Sequence, residues 1–150
     1  MSARDYVTLR VGGHLFGLDA LVVHDVFYPR NITPVPLAPP EIIGVLNLRG
    51  RIVTAVCARA RLAMKPRDPA ARPAKAVGLE LGGDHYGLVV DEVESVVKLD
   101  PVDLIPPPDN LPVRWAEIIP GVFRLPEGLL VVLDASKLIT GGAGHYGAAA

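Results

Sequence analysis

The chain has a single cysteine, Cys57, in 150 residues. An internal disulfide is therefore impossible and a cysteine-rich zinc site is excluded. Aromatic residues make up only 5%, and 15 basic side chains stand against 16 acidic ones for a net charge of -1. Nucleic-acid binding needs the opposite, a basic face for phosphates and rings on which bases stack. The same balance leaves no electrostatic footprint for an anionic membrane. No apolar run approaches the ~18 residues of a membrane span. The opening MSARDYVTLR has no apolar core of the signal-peptide kind. The expectation is a cytoplasmic protein with no direct membrane insertion.

Signals for chemistry are as sparse. Ser2, Ser95 and Ser136 are the serines, and none lies in a G-x-S-x-G elbow. His14, His24, His85 and His145 include no pair at ligand spacing such as i, i+4. Gly142, Gly144 and Gly147 form a formal GxGxxG, but only three residues follow, too few for the helix that would meet a pyrophosphate. Gly12 to Gly17 and Gly82 to Gly87 have P-loop spacing, yet Leu18 and Leu88 stand where the phosphate-binding lysine belongs. Asp91, Glu92 and Glu94 are the densest carboxylate group; on a strand Glu92 and Glu94 share one face, which reads as solvated, and Asp91 shares the other with Val93. Cys57, inside Ala55-Val56-Cys57-Ala58, reads as a small buried hydrophobe despite Arg59 and Arg61 nearby. The expectation is a non-enzyme with no catalytic residues, no cofactor and no metal.

What the chain does have is apolar residues, half of the total, with 15 glycines and 15 prolines as punctuation. That mixture favours short strands and tight turns. Val7–Val11 alternates, Gly12-Gly13 follows, and His14–Leu18 resumes an apolar pattern, which predicts a hairpin. The pattern returns at 77–97, offset by 70, with eight identities: Val7, Leu9, Gly12, Gly13, Gly17, Leu18, Val23 and Val26 match their partners. A second pairing sets 44–57 against 121–134, offset by 77, apolar on apolar. Two matches in the same order predict an internal duplication. Halves of roughly 5–64 and 75–139 flank a proline-rich connection, 64–75, and 140–150 reads as a disordered tail. Two small antiparallel, partly closed barrels would remove exposed edges and leave a groove between them. Leu21–Phe27 fits a short helix or a strand. Asp134–Ile139 predicts a short helix with Asp134 as its N-cap.

One stretch is specific. Ile32-Thr-Pro-Val-Pro, then Pro40-Glu-Ile-Ile-Gly-Val-Leu-Asn-Leu-Arg-Gly50, closely resembles the signature of the CheW-like domain, the bacterial chemotaxis coupling-protein family. Tyr86-Gly-Leu-Val-Val-Asp-Glu-Val93, Ile119-Pro-Gly121 and Leu133-Asp134 are similar to its second half, so the resemblance covers residues 5–139 as a single domain. It implies a mainly β fold of two SH3-like five-stranded β-barrels with short helices. It implies an adaptor linking the cytoplasmic tip of a methyl-accepting chemoreceptor to the regulatory domain of the histidine kinase CheA, held at the inner face of the membrane through receptor arrays. The alternative is a CheW-like regulator in a secondary array that competes for kinase or receptor or binds another response protein. A receptor tip is a helical hairpin, which an apolar groove would take. The residues expected to meet partners are Val22, Val23, Val26, Val35, Leu46, Val90 and Val93 for the groove, with Asp25, Asn47 and Arg49 beside them. The chain departs from the family pattern at Thr54, Cys57 and Ala58, where proline, aspartate and leucine are usual. An aspartate there would be an N-cap that Cys57 cannot replace.

Overall fold

The computed structural model describes residues 3–68 and 70–140, apart from the side chain of Arg114. The tail glycines Gly142, Gly144 and Gly147, and the expected disordered tail from 141 on, lie outside the described residues.

Among the described residues ten strands run in chain order: β1 (Arg4–Val11), β2 (His14–Asp19), β3 (Val23–Phe27), β4 (Ile42–Leu48), β5 (Arg51–Cys57), β6 (Lys75–Leu81), β7 (Asp84–Val90), β8 (Glu92–Leu99), β9 (Gly121–Leu125) and β10 (Gly128–Val132). Three short helices, α1 (Ala58–Arg61), α2 (Val113–Ala116) and α3 (Ala135–Thr140), and two 3-10 turns complete the fold. The ambiguous segment resolves as a 3-10 turn, Ala20–Val22, leading into β3.

The hairpins form where the glycines predict them. Gly12 and Gly13 have φ of 59° and 82°, and Gly82 and Gly83 have 58° and 87°. Positive φ at both central residues is the twist that joins two strands tightly, and glycine reaches it at least cost.

The strands make two five-stranded sheets, β8-β1-β2-β10-β9 and β3-β6-β7-β5-β4. Each half of the duplication is divided between them: β1 and β2 lie in the first sheet while β3, β4 and β5 lie in the second, and the later half does the reverse. The sheets are not wholly antiparallel as expected. β10 runs parallel to β2 and β5 parallel to β7. Both are joints between halves, where no tight turn imposes antiparallel pairing; the other two joints, β1 with β8 and β3 with β6, are antiparallel.

The likeness of the halves extends to irregularities. A bulge inserts His24 in β3 against β6, and its counterpart inserts Glu94 in β8 against β1. Thr33 bridges Val45 with two backbone hydrogen bonds (2.7 and 2.9 Å), and Ile105 bridges Val122 likewise (2.8 Å each). Each bridge ties the chain leaving one edge strand of a sheet to that sheet's opposite edge, so a two-bond contact stands where a full closing ladder would be. Gly44 and Gly121 permit these crossings: a Cβ on Gly44 would lie 2.3 Å from the Thr33 carbonyl oxygen, and one on Gly121 2.6 Å from that of Ile105.

Both faces of the inner strands are covered. Val7, Leu9, Val11, Phe16 and Leu18 from the first sheet meet Val56, Val77, Leu79, Leu88 and Val90 from the second in one central core. Tyr6, Leu15, Phe123, Leu130 and Val132 fill a small core on the far side of the first sheet. Leu46, Val53, Ala55, Ala76 and Val89 do the same for the second. Burial of each large side chain contributes about 1.5–3 kcal/mol. Tyr86 to Val90 are therefore apolar without alternation, because successive residues serve different cores.

The short helices differ at their starts. Asp134 Oδ1 accepts from the Lys137 N–H at 3.0 Å, the expected N-cap of α3. Cys57, at the same place before α1, makes no side-chain cap. It is half-buried rather than fully buried as expected, since the strand ends at this residue.

Candidate functional site

The hairpin β4–β5 turns on Arg49 and Gly50, with Leu48 paired to Arg51. Their φ values are 54° and 83°, so the turn again needs two left-handed residues. Gly50 takes this conformation freely, whereas a side-chain-bearing residue pays about 1–2 kcal/mol. Asn47 helps hold the turn by accepting the Gly50 N–H on Oδ1 at 3.0 Å. Arginine is thus fixed in a conformation that asparagine or glycine adopts more readily.

What occupies Arg49 lies across the sheet. Its Nη1 donates to Asp25 Oδ2 at 2.9 Å. Asp25 is on β3 and Arg49 follows β4, the two edges of the second sheet, so the ion pair spans the mouth between them. The Arg49 side chain is 75% exposed and the Asp25 side chain 27%. Among the described residues Asp25 takes one of the five guanidinium N–H donors, which leaves the others for a partner. Asp25, Phe27, Leu48, Arg49, Arg51, His85 and Tyr86 line a cleft of about 230 Å³ at this mouth. Burial pushes the Tyr86 phenol up, with the Asp84 carboxylate adding to it. Polar contacts rim the cleft: His24 Nε2 lies 2.8 Å from Glu80 Oε1, and Arg51 Nη1 lies 3.4 Å from His85 Nε2.

The other expected contact residues scatter. Val26 (45% exposed) and Val35 (41%) are at the surface. Val22, Val23 and Val93 are partly buried against the central core. Leu46 (5%) and Val90 (1%) are core residues with no side-chain surface to offer a partner. The physical reason is the double coverage of the strands, which buries residues of either parity. The space between the sheets holds the central core. A cleft of about 430 Å³ remains beside the first sheet, lined by Val22, Leu81, Leu104, Pro120 and Val132 among others.

Asp91 corrects a second expectation. It lies not within a strand on the face of Val93 but between β7 and β8. Arg59 donates to it through Nε (3.0 Å) and Nη2 (2.6 Å), Arg67 through Nε (3.1 Å), and the Gly12 N–H at 2.8 Å. Its neighbours pair too, Glu92 with Lys75 at 2.5 Å and Glu94 with Arg10 at 3.0 Å. Burial alone would push the Asp91 carboxyl up. The Arg59 hydrogen bonds, the Gly12 N–H and the charges of Arg59 and Arg67 outweigh it and hold the carboxyl below its ordinary value. Asp91 sits where the chain passes from β7 in the second sheet to β8 in the first. The carboxylate therefore joins the β1–β2 turn, α1 and the connection after it at one point. Partners 24 to 79 residues away leave no local signal in a sequence.

No helix among the described residues is long and apolar enough to cross a membrane. No group of three or more histidine, cysteine, aspartate or glutamate side chains among them is arranged to hold a metal ion.

Comparison with known proteins agrees with this architecture. The chain is similar to a chemotaxis protein CheW from Rhizobium meliloti, 33% identical over 87% of this chain and 83% of the relative. It is also similar to one from Treponema pallidum, 27% identical over 89% and 81%. The crystal structure of the scaffolding protein TtCheW from Thermoanaerobacter tengcongensis superposes with a TM-score of 0.82 at 26% identity, covering 92% of this chain and 93% of that one. These likenesses support a chemotaxis adaptor or scaffold role. The model of the CheW-like domain matches residues 5–142, and the chain belongs to the CheW-like domain family.

Proposed function

We propose that the chain is a non-enzymatic adaptor that couples the cytoplasmic tip of a methyl-accepting chemoreceptor to the regulatory domain of the histidine kinase CheA, with Arg49 at the centre of a partner contact. It works in the cytoplasm, brought to the inner face of the membrane by the receptors, and residues 5–139 act as one unit. The observation that carries this reading is the Asp25–Arg49 ion pair, 2.9 Å long across the mouth of the second sheet, with a mostly exposed guanidinium on a left-handed backbone. Strain kept at an exposed position argues for a use other than folding. Arginine suits that use, because its planar fork can hold Asp25 and still offer donors to a partner. The task requires binding and positioning and no bond-making step.

The test is direct. Purified protein is titrated with a receptor cytoplasmic fragment and with a CheA regulatory domain from the same cell, alone and together. The reading expects binding to both and a ternary complex in which kinase activity responds to the receptor. Binding to neither, across the cell's own receptors and kinases, overturns it. Binding to one alone, with loss of kinase activity, points instead to a competing regulator.

A further inference from the structure

The duplication supplies an internal control for the Asp25–Arg49 pair. Asp25 corresponds to Ser95 in the other half, and the residue across from Asp25 on β6, Gly78, corresponds to Thr8 on β1. In the first sheet both positions carry hydroxyls, and they bond to each other, Thr8 Oγ1 to Ser95 Oγ at 3.1 Å. Ser95 is thereby tied to its own cross-strand neighbour. In the second sheet the neighbour has no side chain. The Asp25 carboxyl lies over the Gly78 backbone: a Cβ on Gly78 would be 2.1 Å from Asp25 Oδ1 and 3.3 Å from Cγ. From that seat the other oxygen, Oδ2, reaches Arg49.

The geometry points to Gly78 as a positioning residue that selects the partner-competent arrangement of Arg49, by leaving Asp25 the space from which to grip it. This rests on the reading of Arg49 as a partner contact. Gly78 is itself buried, in the lining of the cleft beneath Asp25. Nor does its backbone demand glycine: it is not among the positive-φ residues. An alanine there collides with one side-chain oxygen, while the nearest backbone atom, the Asp25 carbonyl, stays at an ordinary 3.5 Å. Gly78→Ala therefore displaces the Asp25 carboxyl and leaves the strand pairing in place.

The experiment has two readouts. The first needs no partner. The Asp25 carboxyl carbon resonance is followed by NMR in protein with Gly78 and with Gly78→Ala, each with and without Arg49→Ala. Arg49→Ala is expected to shift that resonance in the Gly78 protein and to leave it unmoved in Gly78→Ala. An equal shift in both backgrounds overturns the proposal. The second readout is affinity for the kinase regulatory domain and the receptor fragment. Gly78→Ala is expected to weaken binding about as much as Asp25→Ala, and to add no further loss on the Asp25→Ala background. A further loss there, or unchanged affinity in the single variant, also overturns it. Asp25→Ser in the Gly78→Ala protein removes the bulky carboxyl. It is expected to restore the melting midpoint without restoring affinity, and recovery of affinity counts against the proposal. If the parent protein binds neither partner, the adaptor reading fails while the resonance test still decides the role of Gly78.

Discussion

Replacing Asp91 by alanine should lower stability by about 3 kcal/mol. The carboxylate receives four hydrogen bonds, three from guanidinium groups and one from a backbone N–H. At about 1.5–3 kcal/mol for each bond to a charged group, a naive sum is roughly 6–12 kcal/mol. That sum overstates the loss, because bonds to one group are not additive and the freed arginines regain some water. The side chains of Asp91, Arg59 and Arg67 are 19%, 20% and 23% exposed, so solvation is partial. Breaking a well-buried pair costs about 3–5 kcal/mol; this partly open one belongs at the low end. For a chain of this size, about 3 kcal/mol corresponds to a fall of roughly 6–12 °C in Tm. Differential scanning calorimetry of the variant measures it. A fall below about 0.5 kcal/mol would refute the reasoning, since it would mean that water serves the arginines as well as the carboxylate does.

The same site gives a pH signature. The folded Asp91 carboxyl titrates below its unfolded value. Its contribution is thus complete above the unfolded carboxylate range, near ~4, and is lost as pH falls through the lower folded value. The stability gap between the parent protein and Asp91→Asn should be flat from neutral pH to about pH 5 and should close only in more acid solution. A gap that instead opens on acidification contradicts the assigned direction.

Three further predictions concern substitutions at four positions. Cys57→Asp restores a carboxylate at the start of α1, where Asp134 already caps α3, and should add about 0.5–2 kcal/mol; an unchanged or lowered melting midpoint would sink the idea. Gly44→Ala drives a methyl into the Thr33 carbonyl and should cost at least about 3 kcal/mol through strain and loss of the edge bridge. Gly50→Ala, with open space around it, should cost only about 1–2 kcal/mol, so equal losses in chemical denaturation would contradict the crossing argument. Arg49→Ala should change stability by no more than about 1 kcal/mol, as befits an exposed pair. It should weaken partner affinity by at least about tenfold, as an interface anchor does; calorimetric titration with unaltered affinity would remove Arg49 from the contact.

Local features were legible in the sequence. The paired glycines at 12–13 and 82–83 specify hairpins because few other residues take positive φ twice, and Asp134 caps a helix by a bond that spans three residues. The repeat was legible too, down to Gly44 and Gly121. What could not be read is pairing between distant strands. Nothing in β3 says that it joins β6 rather than β2, and the exchange of strands between halves follows from that choice. Orientation was equally hidden. Leu46 and Val90 looked available for a groove because periodicity distinguishes two faces only when one of them is wet. Val90 lies on the inner strand β7, which is covered on both sides, and Leu46, on the edge strand β4, packs into the small outer core, so apolar character carries no direction. The Asp91 cluster escaped for the same reason, since its members meet only after the strands are arranged.

The duplication also separates what the fold needs from what it does not. Turns, bulges, edge bridges and the crossing glycines recur in both halves, and each has a structural cause. Among the many positions at which the halves differ, three meet in space on the second sheet: Asp25 against Ser95, Gly78 against Thr8, and Arg49 against Pro126. In the first sheet the serine and threonine satisfy one another and the proline ends the comparison. In the second sheet the three altered residues touch, the glycine seating the carboxylate and the carboxylate holding the arginine. The first sheet folds without any of them, so the fold does not require the set. A change at one position could be drift in an exposed strand. Three changes that meet in one ion pair, at the price of a left-handed arginine, call for a common purpose, and the mouth of the second sheet is where a partner would find it.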